Sequence, residues 1–520
     1  MGIPTRLGIV DMGSNAIRFQ IADLAGPATT ILESHRLPVR LGQQVFETGQ
    51  IGEETMSAVL DGFRRFRATC DRLQVGSIRA IATSAMRDAS NRDVLIDQLR
   101  RECGIEVEVI SGTQEAYLLA RAVASRIDLD QGRSLLVDVG GGSVEVVVVD
   151  KGQVVGADSY RLGALRLLQT LGSDEASGES FVDLLHKHLR SLERRIVDRF
   201  DGARIDRYAA VGGNVETLCD LVAGGNQKQL GGVDACSLAA LRQQTLALAA
   251  VPVAARIDRF GLRPDRADTI VPAGLVYAFL GGLAGVDDVL VPRVGIKDGL
   301  MHELAQGHSQ PFAPEDHEDV VLQSCRAMGR RFHYEAAHAE TVLTLARQIF
   351  EQTQNLHGLD QRARVFLEAA ALLHDVGVAV NNDGHHKHSQ YLIQSSELIG
   401  LTDEEKQLVG LLARYHRKAP PSRDHEEFGR LRRKERTLVE RLGAILRLAD
   451  ALDRQHASVL AGVEVVQRGQ NLELVPIFRG APQTRLTLES HAVAEKGLLF
   501  AQLFGRQPVL MLPVAGSAHA

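Results

Sequence analysis

The sequence predicts a duplicated α/β core, followed by a helical domain and a small α+β module. Two stretches share one plan, in which an apolar strand ends in an aspartate, a glycine-bearing turn follows and a second strand begins. These aspartates are Asp11 and Asp138. Residues 316–457 show helical periods with little strand pattern, and strand-like alternation returns over residues 462–512. We expect two lobes over residues 1–127 and 128–307, a helical domain over 308–460 and a C-terminal module over 461–520.

The glycine turn after Asp138 predicts an anion-binding site. Gly140, Gly141 and Gly142 lack a Cβ. The backbone N–H groups of this turn, which ends at Ser143, can therefore approach an anion without steric hindrance. Asp138 ends the first strand and is well placed to hold a divalent cation beside that anion. The alternative is a plain glycine-rich hairpin.

The turn after Asp11 repeats this arrangement with Gly13, Ser14 and Asn15, and a second strand follows. Two such units suggest that facing hairpins hold a phosphate between the lobes. Catalysis of phosphoryl transfer consists mostly of positioning and charge neutralisation, and this geometry supplies both.

The stretch from Thr83 to Asp88 is expected to be a polar loop after the strand Ile78–Ala82. Ligands of α/β folds usually bind at the carboxyl ends of the strands. The hydroxyl groups of Thr83 and Ser84 and the guanidinium of Arg87 are suited to phosphate oxygens. The alternative for Arg87 is an ordinary surface ion pair.

Glu115 falls in the first turn of a predicted helix, because Ser111-Gly112-Thr113-Gln114 has the form of a capping box. A carboxylate at this position is favoured by the helix dipole and is expected to stay ionised. Two interpretations remain open, a functional carboxylate after a strand and a simple helix-start acid. Farther along, Gly212, Gly213 and Asn214 form a third glycine turn, which is suited to a phosphate or nucleoside but is a weak signal alone.

Composition narrows the classes of function. A net charge of −6 gives no nucleic-acid or membrane signal. Tryptophan is absent and aromatic residues make up only 4%, which argues against a stacking platform for bases. The five dispersed cysteines favour a reducing compartment. No signal-type leader starts the sequence, and the apolar stretch Ile270–Val286 fits a buried helix. We expect a cytoplasmic protein with no nucleic-acid or membrane partner.

Several motifs together resemble the exopolyphosphatase/guanosine-pentaphosphate phosphatase (Ppx/GppA) family. They are IVDMGSNAIRF at Ile9, AIATSAMRDASN at Ala80, VISGTQEAYLLARAV at Val109, LLVDVGGGSVEVVVV at Leu135, VGGNVETL at Val211, RVGIKDGL at Arg293, LLHDVGVAVNNDGHHKHSQYLI at Leu372 and ARYHRK at Ala413. The resemblance implies actin-like ATPase (ribonuclease H-like) lobes. It also implies release of terminal orthophosphate from inorganic polyphosphate, or of the 5′ γ-phosphate from guanosine pentaphosphate (pppGpp), with Mg²⁺ (or Mn²⁺), in a homodimer.

The resemblance assigns roles to residues. Glu115 would be the catalytic carboxylate that activates water, and Asp138, with Glu145 and Asp11, would hold Mg²⁺. One departure is Gln114, where many members carry a second acid. The remaining matches would contact the phosphates, namely Gly13, Ser14, Asn15, Arg18, Thr83, Ser84, Arg87, Gly140, Gly141, Gly142, Ser143, Gly212, Gly213 and Asn214.

A basic stretch from Arg414 to Arg436 contains nine lysines and arginines. One interpretation is a solvated, charged helix and loop. The resemblance suggests instead a channel for the polyphosphate chain, between the lobes and the helical domain and completed by a second subunit.

A second metal site is suggested by His338, His374-Asp375 and Asp450, whose order is the signature of HD-type metal phosphohydrolases. We therefore expect the helical domain to be HD-like and to bind a second divalent metal. The alternative is a structural relic, in which His385, His388 and His416 serve packing or polyphosphate contacts.

Four functions compete. The first is an exopolyphosphatase and the second a pppGpp 5′-phosphohydrolase. The third is a kinase or ATPase, which the absence of a clear adenosine pocket beyond Gly212-Gly213-Asn214 disfavours. The fourth is a polyphosphate or alarmone sensor, with the HD-type site as a second phosphohydrolase centre.

Overall fold

The computed structural model describes residues 6–24, 29–172, 180–197, 203–305, 314–396, 398, 400–480 and 486–511. The chain forms two compact units, residues 1–311 and 312–520. The predicted linker over residues 308–314 lies outside the described residues except for Pro314, which begins a helix. The finer four-part division remains a prediction.

The first lobe is built on a five-stranded sheet of order β3-β2-β1-β4-β5. Its central strand β1 pairs antiparallel with β2 and parallel with β4. Buried residues of β1, such as Val10 and Met12, pack with helix residues such as Val59 and Phe63. The elements are β1 (Arg6–Met12), β2 (Ile17–Asp23), β3 (Thr30–Leu37), α1 (Leu41–Thr48), α2 (Glu53–Arg72), β4 (Ser77–Ala82), α3 (Ser84–Asp88), α4 (Arg92–Cys103), β5 (Val107–Val109) and α5 (Gly112–Ala124).

The second lobe is built on a seven-stranded sheet of order β10-β11-β12-β9-β6-β7-β8. Its strand β6 pairs antiparallel with β7 and parallel with β9, as β1 does with β2 and β4. The elements are β6 (Arg133–Val139), β7 (Val144–Asp150), β8 (Gln153–Tyr160), α6 (Ala164–Leu171), α7 (Phe181–Val197), β9 (Arg207–Val211), α8 (Gly213–Ala223), β10 (Lys228–Leu230), β11 (Val233–Ser237), α9 (Leu238–Ala249), α10 (Val253–Phe260), α11 (Pro264–Ala267), α12 (Ile270–Ala284), β12 (Asp288–Val291) and α13 (Ile296–Ala305).

The two hairpins of the predicted duplication are present in matching registers. Asp11 lies opposite Arg18 on β2, and Asp138 lies opposite Glu145 on β7. Each hairpin is closed by a four-residue turn, over residues 13–16 and 140–143. The duplication therefore places an aspartate at equivalent positions in the two sheets, whereas the residue across the strand is a cation in one lobe and an acid in the other.

Helix α5 begins with the predicted capping box. The Ser111 Oγ accepts a hydrogen bond from the Gln114 backbone N–H (3.1 Å), and the Gln114 Oε1 accepts one from the Ser111 backbone N–H (2.8 Å). The apolar face of α5, with Leu119 and Val123, packs on β6 and β7 through Leu136 and Val147. The cap and this packing fix the orientation of the first turn, which carries Glu115.

Two local predictions need correction. The stretch after β4 is not a loop, because Ser84–Asp88 forms the short helix α3, in which the Arg87 N–H donates to the Thr83 carbonyl (3.1 Å). The third glycine turn is also shorter than predicted, since α8 already begins at Gly213. In both places a helix starts directly at the carboxyl end of a strand.

The second unit packs helices against a three-stranded sheet of order β13-β14-β15. The sheet residues Val463 and Leu474 share one hydrophobic core with the helix residues Leu345 and Ile349. The helices are α14 (Pro314–Arg331), α15 (Ala336–Gln352), α16 (Gln354–His357), α17 (Gln361–Leu373), α18 (His385–Ser395), α19 (Asp403–Tyr415), α20 (Glu426–Gly429), α21 (Arg433–Ala451), α22 (Thr487–Lys496) and α23 (Leu498–Phe504). The strands are β13 (Leu460–Arg468), β14 (Asn471–Phe478) and β15 (Gln507–Leu510).

The apolar stretch around residue 270 forms helix α12, whose residues are mostly buried. Among the described residues, no single helix combines the length and apolar composition needed to cross a membrane. One bent pair, Leu238–Ala249 with Val253–Phe260, meets that test by length and composition alone.

Candidate active site

A cleft of about 440 Å³ lies where the two hairpin turns of the first unit meet. Both lobes contribute to its walls, as the facing hairpins predicted. Most predicted site residues line it, namely Asp11, Gly13, Ser14, Asn15, Arg18, Thr83, Glu115, Asp138, Gly140, Gly141, Gly142, Ser143, Gly212, Gly213 and Asn214. The remaining predicted residues of this site, Ser84, Arg87 and Glu145, do not line the cleft but lie around it.

The two turns pack directly against each other, which explains the need for glycine. A Cβ on Gly141 would lie 3.0 Å from the Ser14 Cβ of the first turn. A Cβ on Gly142 would lie 2.3 Å from the Phe46 ring and 2.5 Å from the Ser84 Oγ. The glycines at these positions therefore permit close contact between the lobes as well as close approach of an anion.

Gly212 requires glycine for a different reason. Its φ of +105° lies in a region that side-chain-bearing residues rarely adopt, and a Cβ would lie 2.8 Å from the Asp138 Oδ1. The turn thus leaves room for the Asp138 carboxylate at the end of β6.

Four carboxyl groups lie together at the base of the cleft. Those of Asp11, Glu115 and Glu145 are buried, and that of Asp138 is partly buried. Two guanidinium groups pair with them. The Arg18 Nη1 lies 3.1 Å from the Asp11 Oδ2, and the Arg87 Nη1 lies 2.9 Å from the Glu115 Oε2. With all four carboxyl groups ionised, the negative charges would outnumber these two cations, and electrostatics therefore favours either protons or a bound cation.

The pKa shifts express this excess of negative charge. Burial and the nearby Glu145 carboxylate raise the pKa of Glu115 to about 8, against the opposite effect of Arg87. Burial and the Glu115 carboxylate raise the pKa of Asp138 to about 7. Burial and Asp138 likewise raise the pKa of Glu145. The expectation that the helix dipole keeps Glu115 ionised is therefore wrong for the metal-free site, because burial among carboxylates outweighs the dipole.

The carboxyl cluster fits a divalent cation. Glu145 accepts a hydrogen bond from the Ser159 hydroxyl (2.9 Å) on Oε1, whereas its buried Oε2 has no hydrogen-bond partner. Three-residue groups of potential ligands within 4.8 Å occur, among the described residues, in the second unit and not at the cleft. Carboxylate oxygens of this kind are the ligands that hard divalent cations take, together with water molecules and phosphate oxygens.

Arg87 was predicted to contact phosphate, and in the structure its guanidinium lies against Glu115. Its Nη1 donates to the Ile110 carbonyl (2.8 Å) and to the Glu115 carboxylate, so it holds Glu115 in place. Ser84 lies behind the second glycine turn, where its Oγ is 3.4 Å from the Arg166 Nη2. Both residues therefore support the cleft from outside its lining.

Five basic residues of the cleft were not identified from the sequence: Arg36, Arg263, Arg266, Arg293 and Lys297. Arg266 donates to the Thr217 hydroxyl, and burial together with Arg263 lowers its pKa to about 10. Arg293 and Lys297 both lie within the quoted motif RVGIKDGL and were the two with a local signal. The bottom of the cleft is therefore lined by carboxyl groups, and its walls are lined by cations.

The predicted HD-type residues also come together, within the second unit. The Nε2 atoms of His338 and His374 are 3.2 Å apart, and both lie within 4 Å of the Asp450 Oδ1 (3.7 and 3.9 Å). Asp375 faces His385 and His416, two further imidazoles noted in the sequence. These residues form groups whose ligand atoms lie within 4.8 Å of one another.

Comparisons with known proteins agree on one family. Residues 20–308 match the Ppx/GppA phosphatase family, and residues 320–498 match Ppx/GppA phosphatase, domain III. A Vibrio parahaemolyticus protein named guanosine-5'-triphosphate,3'-diphosphate pyrophosphatase is 24% identical over 470 residues, which cover 89% of this chain and 90% of that protein. An Aliivibrio fischeri protein of the same name is 23% identical over 416 residues, covering 80% of this chain and 81% of that protein.

Solved structures resemble the first unit. A Cytophaga hutchinsonii exopolyphosphatase superimposes with a TM-score of 0.54 at 26% identity, covering 58% of this chain and 98% of that chain. A Ppx/GppA family member from Aquifex aeolicus gives a TM-score of 0.50 at 22% identity, covering 59% of this chain and 99% of that chain. The latter match supports the fold alone, and the two together confirm the predicted lobe architecture.

Proposed function

The chain belongs to the Ppx/GppA phosphatase family, whose match spans residues 20–308, and from this premise we propose that it is an exopolyphosphatase. It would release terminal orthophosphate from inorganic polyphosphate by attack of water on the terminal phosphoanhydride bond.

One observation carries the choice of polyphosphate. The lining of the cleft combines backbone turns and five further cations with buried carboxylates, and contains no aromatic side chain among its described residues. A chain of phosphates offers neither base nor sugar, and charge-assisted hydrogen bonds from guanidinium and backbone N–H groups suffice to hold it.

Glu115 is the group that would accept a proton from the attacking water. It lines the cleft at the first turn of α5, and its carboxylate is oriented by Arg87. A pKa of about 8 makes this carboxyl an effective base near neutral pH once a proton has left it. Mg²⁺ held by Asp138 and its neighbours, Asp11 and Glu145, would supply neutralisation of phosphate charge.

The turns and the basic residues would bind the substrate. The N–H groups of the turns at Gly13–Asn15 and Gly141–Ser143 would face the terminal phosphate, with Arg18 nearby, whereas the Gly140 N–H donates to the Ser143 carbonyl. Arg36, Arg266 and Lys297 would contact the following phosphates. These groups would orient the phosphorus for attack, which is the main requirement of phosphoryl transfer.

A second candidate substrate is pppGpp, which the names of the curated relatives favour. It carries the same terminal phosphoanhydride linkage, so the same base and cation site would serve. A nucleoside would have to lie beyond the basic wall formed by Arg263 and Arg266.

Orthophosphate release from long-chain polyphosphate, pppGpp and ATP, each with Mg²⁺, tests the proposal. We expect polyphosphate to be hydrolysed with the highest kcat/KM and ATP with the lowest. Glu115→Gln should lose about 10²-fold or more in kcat, as expected for removal of a general base. The matched control is Glu106→Gln, an exposed acid of the same lobe. Normal turnover of Glu115→Gln, or preference for ATP, would contradict the proposal.

Three further predictions made from the sequence extend this proposal. We expect the helical part of the second unit to be HD-like, the basic stretch over residues 414–436 to guide the polyphosphate tail, and the protein to act as a cytoplasmic homodimer. Sedimentation analysis of the purified full chain tests the dimer, and charge-reversing substitutions of Arg423 and Lys434 test the tail path through a loss of affinity for long over short chains.

A further inference from the structure

Four imidazole rings cluster in the second unit, on His338, His374, His385 and His416, and each has its Nδ1 atom held by an acceptor. The Nδ1 atoms of His374, His385 and His416 lie 2.8, 2.9 and 2.6 Å from the carbonyl oxygens of the residues three positions earlier, Ala371, Asn382 and Ala413. Because a carbonyl only accepts, each of these Nδ1 atoms carries the proton. In the neutral ring, Nε2 is then a free lone pair.

His338 is held in the same way by a carboxylate. Its Nδ1 lies 2.8 Å from the Asp453 Oδ2, while the Asp453 Oδ1 accepts the Ser458 backbone N–H at 2.8 Å. A carboxylate that accepts from Nδ1 fixes the ring and makes Nε2 a better donor of electrons to a metal.

These four Nε2 atoms converge on one another and on carboxylate oxygens. The Nε2 atoms of His338 and His374 face each other at 3.2 Å. The Asp375 Oδ1 lies 3.1 Å from the Nε2 of His385 and 3.4 Å from that of His416, and this buried oxygen has no hydrogen-bond partner. Lone pairs that converge within a buried site repel one another unless a positive charge lies between them.

We propose that this cluster is a metal centre for two divalent cations. One cation is bound by His338, His374 and Asp450, and the other by Asp375, His385 and His416. Two ligand atoms about 2.1 Å from a tetrahedral metal are about 3.4 Å apart, close to the observed spacing of the two facing imidazoles. The Asp375 Oδ2 lies 3.8 Å from the His374 Nε2, so this carboxylate spans both positions.

The donor set selects the class of cation. Imidazole nitrogens with carboxylates suit Zn²⁺, Mn²⁺ or Fe²⁺ better than Mg²⁺, which prefers oxygen ligands. The centre is thus chemically different from the all-oxygen cleft of the first unit, and the proposal goes beyond the hydrolytic site described above.

Two protein cations border the cluster without taking the ligand atoms. The Lys496 ammonium contacts the Asp450 Oδ2 and leaves Oδ1 directed at the imidazoles. An Arg417 Nη1 lies 3.3 Å from Nδ1 and 3.2 Å from Nε2 of His385. Nearly equal distances to both ring nitrogens place the guanidinium over the ring face, not in line with the Nε2 lone pair.

Metal counting on the full-length protein tests the proposal. Protein stripped with a chelator is loaded with Mn²⁺ alone and desalted, and the retained metal is measured by mass spectrometry. We expect about two Mn²⁺ per chain in wild type, one in His385→Asn and none or one in His374→Asn. His388→Asn, on the same helix as His385 but outside the cluster, should retain two Mn²⁺. Asp138→Asn, which alters the cleft, should also retain two.

A spectroscopic readout keeps the test independent of the stability of the variants. Electron spin echo modulation of the Mn²⁺-loaded wild type should show coupling to imidazole ¹⁴N, which an all-oxygen site does not give. Metal-free wild type after loading would overturn the proposal, because protons and the protein's own cations would then suffice to balance the cluster. Retained metal without nitrogen coupling, or unchanged metal content in both His374→Asn and His385→Asn, would overturn it as well.

Discussion

Arg87 and Glu115 form a partly buried ion pair in which the Arg87 Nη1 lies 2.9 Å from the Glu115 Oε2. The pair joins the helix that follows β4 to the helix that follows β5, so it links two neighbouring strand ends of the first lobe. Arg87 also donates to the Ile110 carbonyl, just before the capping box of α5. It therefore holds the Glu115 carboxyl in position, and its positive charge lowers the pKa of that carboxyl.

Removal of this guanidinium should impair catalysis most strongly at low pH. Arg87 lowers the pKa of Glu115 against the effects of burial and of Glu145. In Arg87→Met the pKa of Glu115 rises further, and a smaller fraction of the base is ionised at a given pH. We expect kcat at pH 7 to fall at least about 10-fold and the acidic limb of the kcat profile to move to higher pH.

The matched control for this variant is Arg100→Met, an arginine of the same lobe whose ion pair with Asp97 is far more exposed. Its pH profile should coincide with that of wild type. If Arg87→Met lost activity by the same factor at every pH, Arg87 would not act through the charge of Glu115.

Mg²⁺ should stabilise the protein more at high pH than at low pH. The pKa of Asp138 is raised to about 7 and that of Glu115 to about 8, both above the ordinary values of 3.8 and 4.5. The folded state therefore binds more protons than the unfolded state between these limits, and its free energy of unfolding falls as the pH rises through them. A cation at the cleft replaces those protons, so its effect is largest where they have left.

Melting temperatures of chelator-treated protein, with and without Mg²⁺, check this at pH 5.5 and pH 8.5. We expect a larger Mg²⁺-dependent increase at pH 8.5, and a much smaller one in Asp138→Asn. An equal increase at both pH values would mean that Mg²⁺ does not compete with these protons.

Close packing of the glycine turns can be tested without changing any charge. A methyl group at position 142 would collide with the Phe46 ring and the Ser84 Oγ and would lie 3.0 Å from the Ser14 Oγ of the other turn, so the second turn would have to move away from these neighbours. We expect Gly142→Ala to lower the free energy of unfolding by about 1–3 kcal/mol. Activity should also fall, because the turn is part of the cleft lining.

Gly282→Ala provides the control, since a Cβ at position 282 has no neighbour within 4 Å. Alanine in the helix interior should leave stability unchanged or raise it slightly. Chemical denaturation and phosphate release measure the two effects. Wild-type stability of Gly142→Ala would show that the turns tolerate separation.

The sequence predicted those parts of the cleft that depend on local patterns. The two hairpins, their aspartates and the capping box before Glu115 each depend on residues within a few positions of one another, and the structure contains all of them. The short helix α3 was missed because its five residues are too few to show a helical period.

Long-range pairing accounts for what the sequence did not reveal. Arg36 of the first lobe reaches the cleft because it contacts Asp265 of the second lobe, 229 positions later. Asn15 of the first lobe likewise contacts the Asp265 carbonyl. No periodicity or motif marks such contacts. The raised pKa of Glu115 was missed for the same reason. Its cause is burial beside Glu145, which lies on strand β7 of the second lobe.

Arg266 should contribute to substrate binding rather than to the chemical step. It lines the cleft, and although burial lowers its pKa to about 10, it remains charged at neutral pH. Its side chain donates to the Thr217 hydroxyl, a neutral group, so this hydrogen bond does not neutralise the charge that would bind a phosphate. A hydrogen bond between charged groups contributes about 1.5–3 kcal/mol, which corresponds to a roughly 10- to 100-fold change in affinity. Arg266→Met should therefore raise KM for polyphosphate by at least about 10-fold and change kcat little.

Arg259→Met, an exposed arginine of the preceding helix, should leave both constants unchanged. The effect should also shrink as the salt concentration rises, because salt screens the attraction between phosphate and guanidinium. A loss confined to kcat would place Arg266 in the chemical step instead.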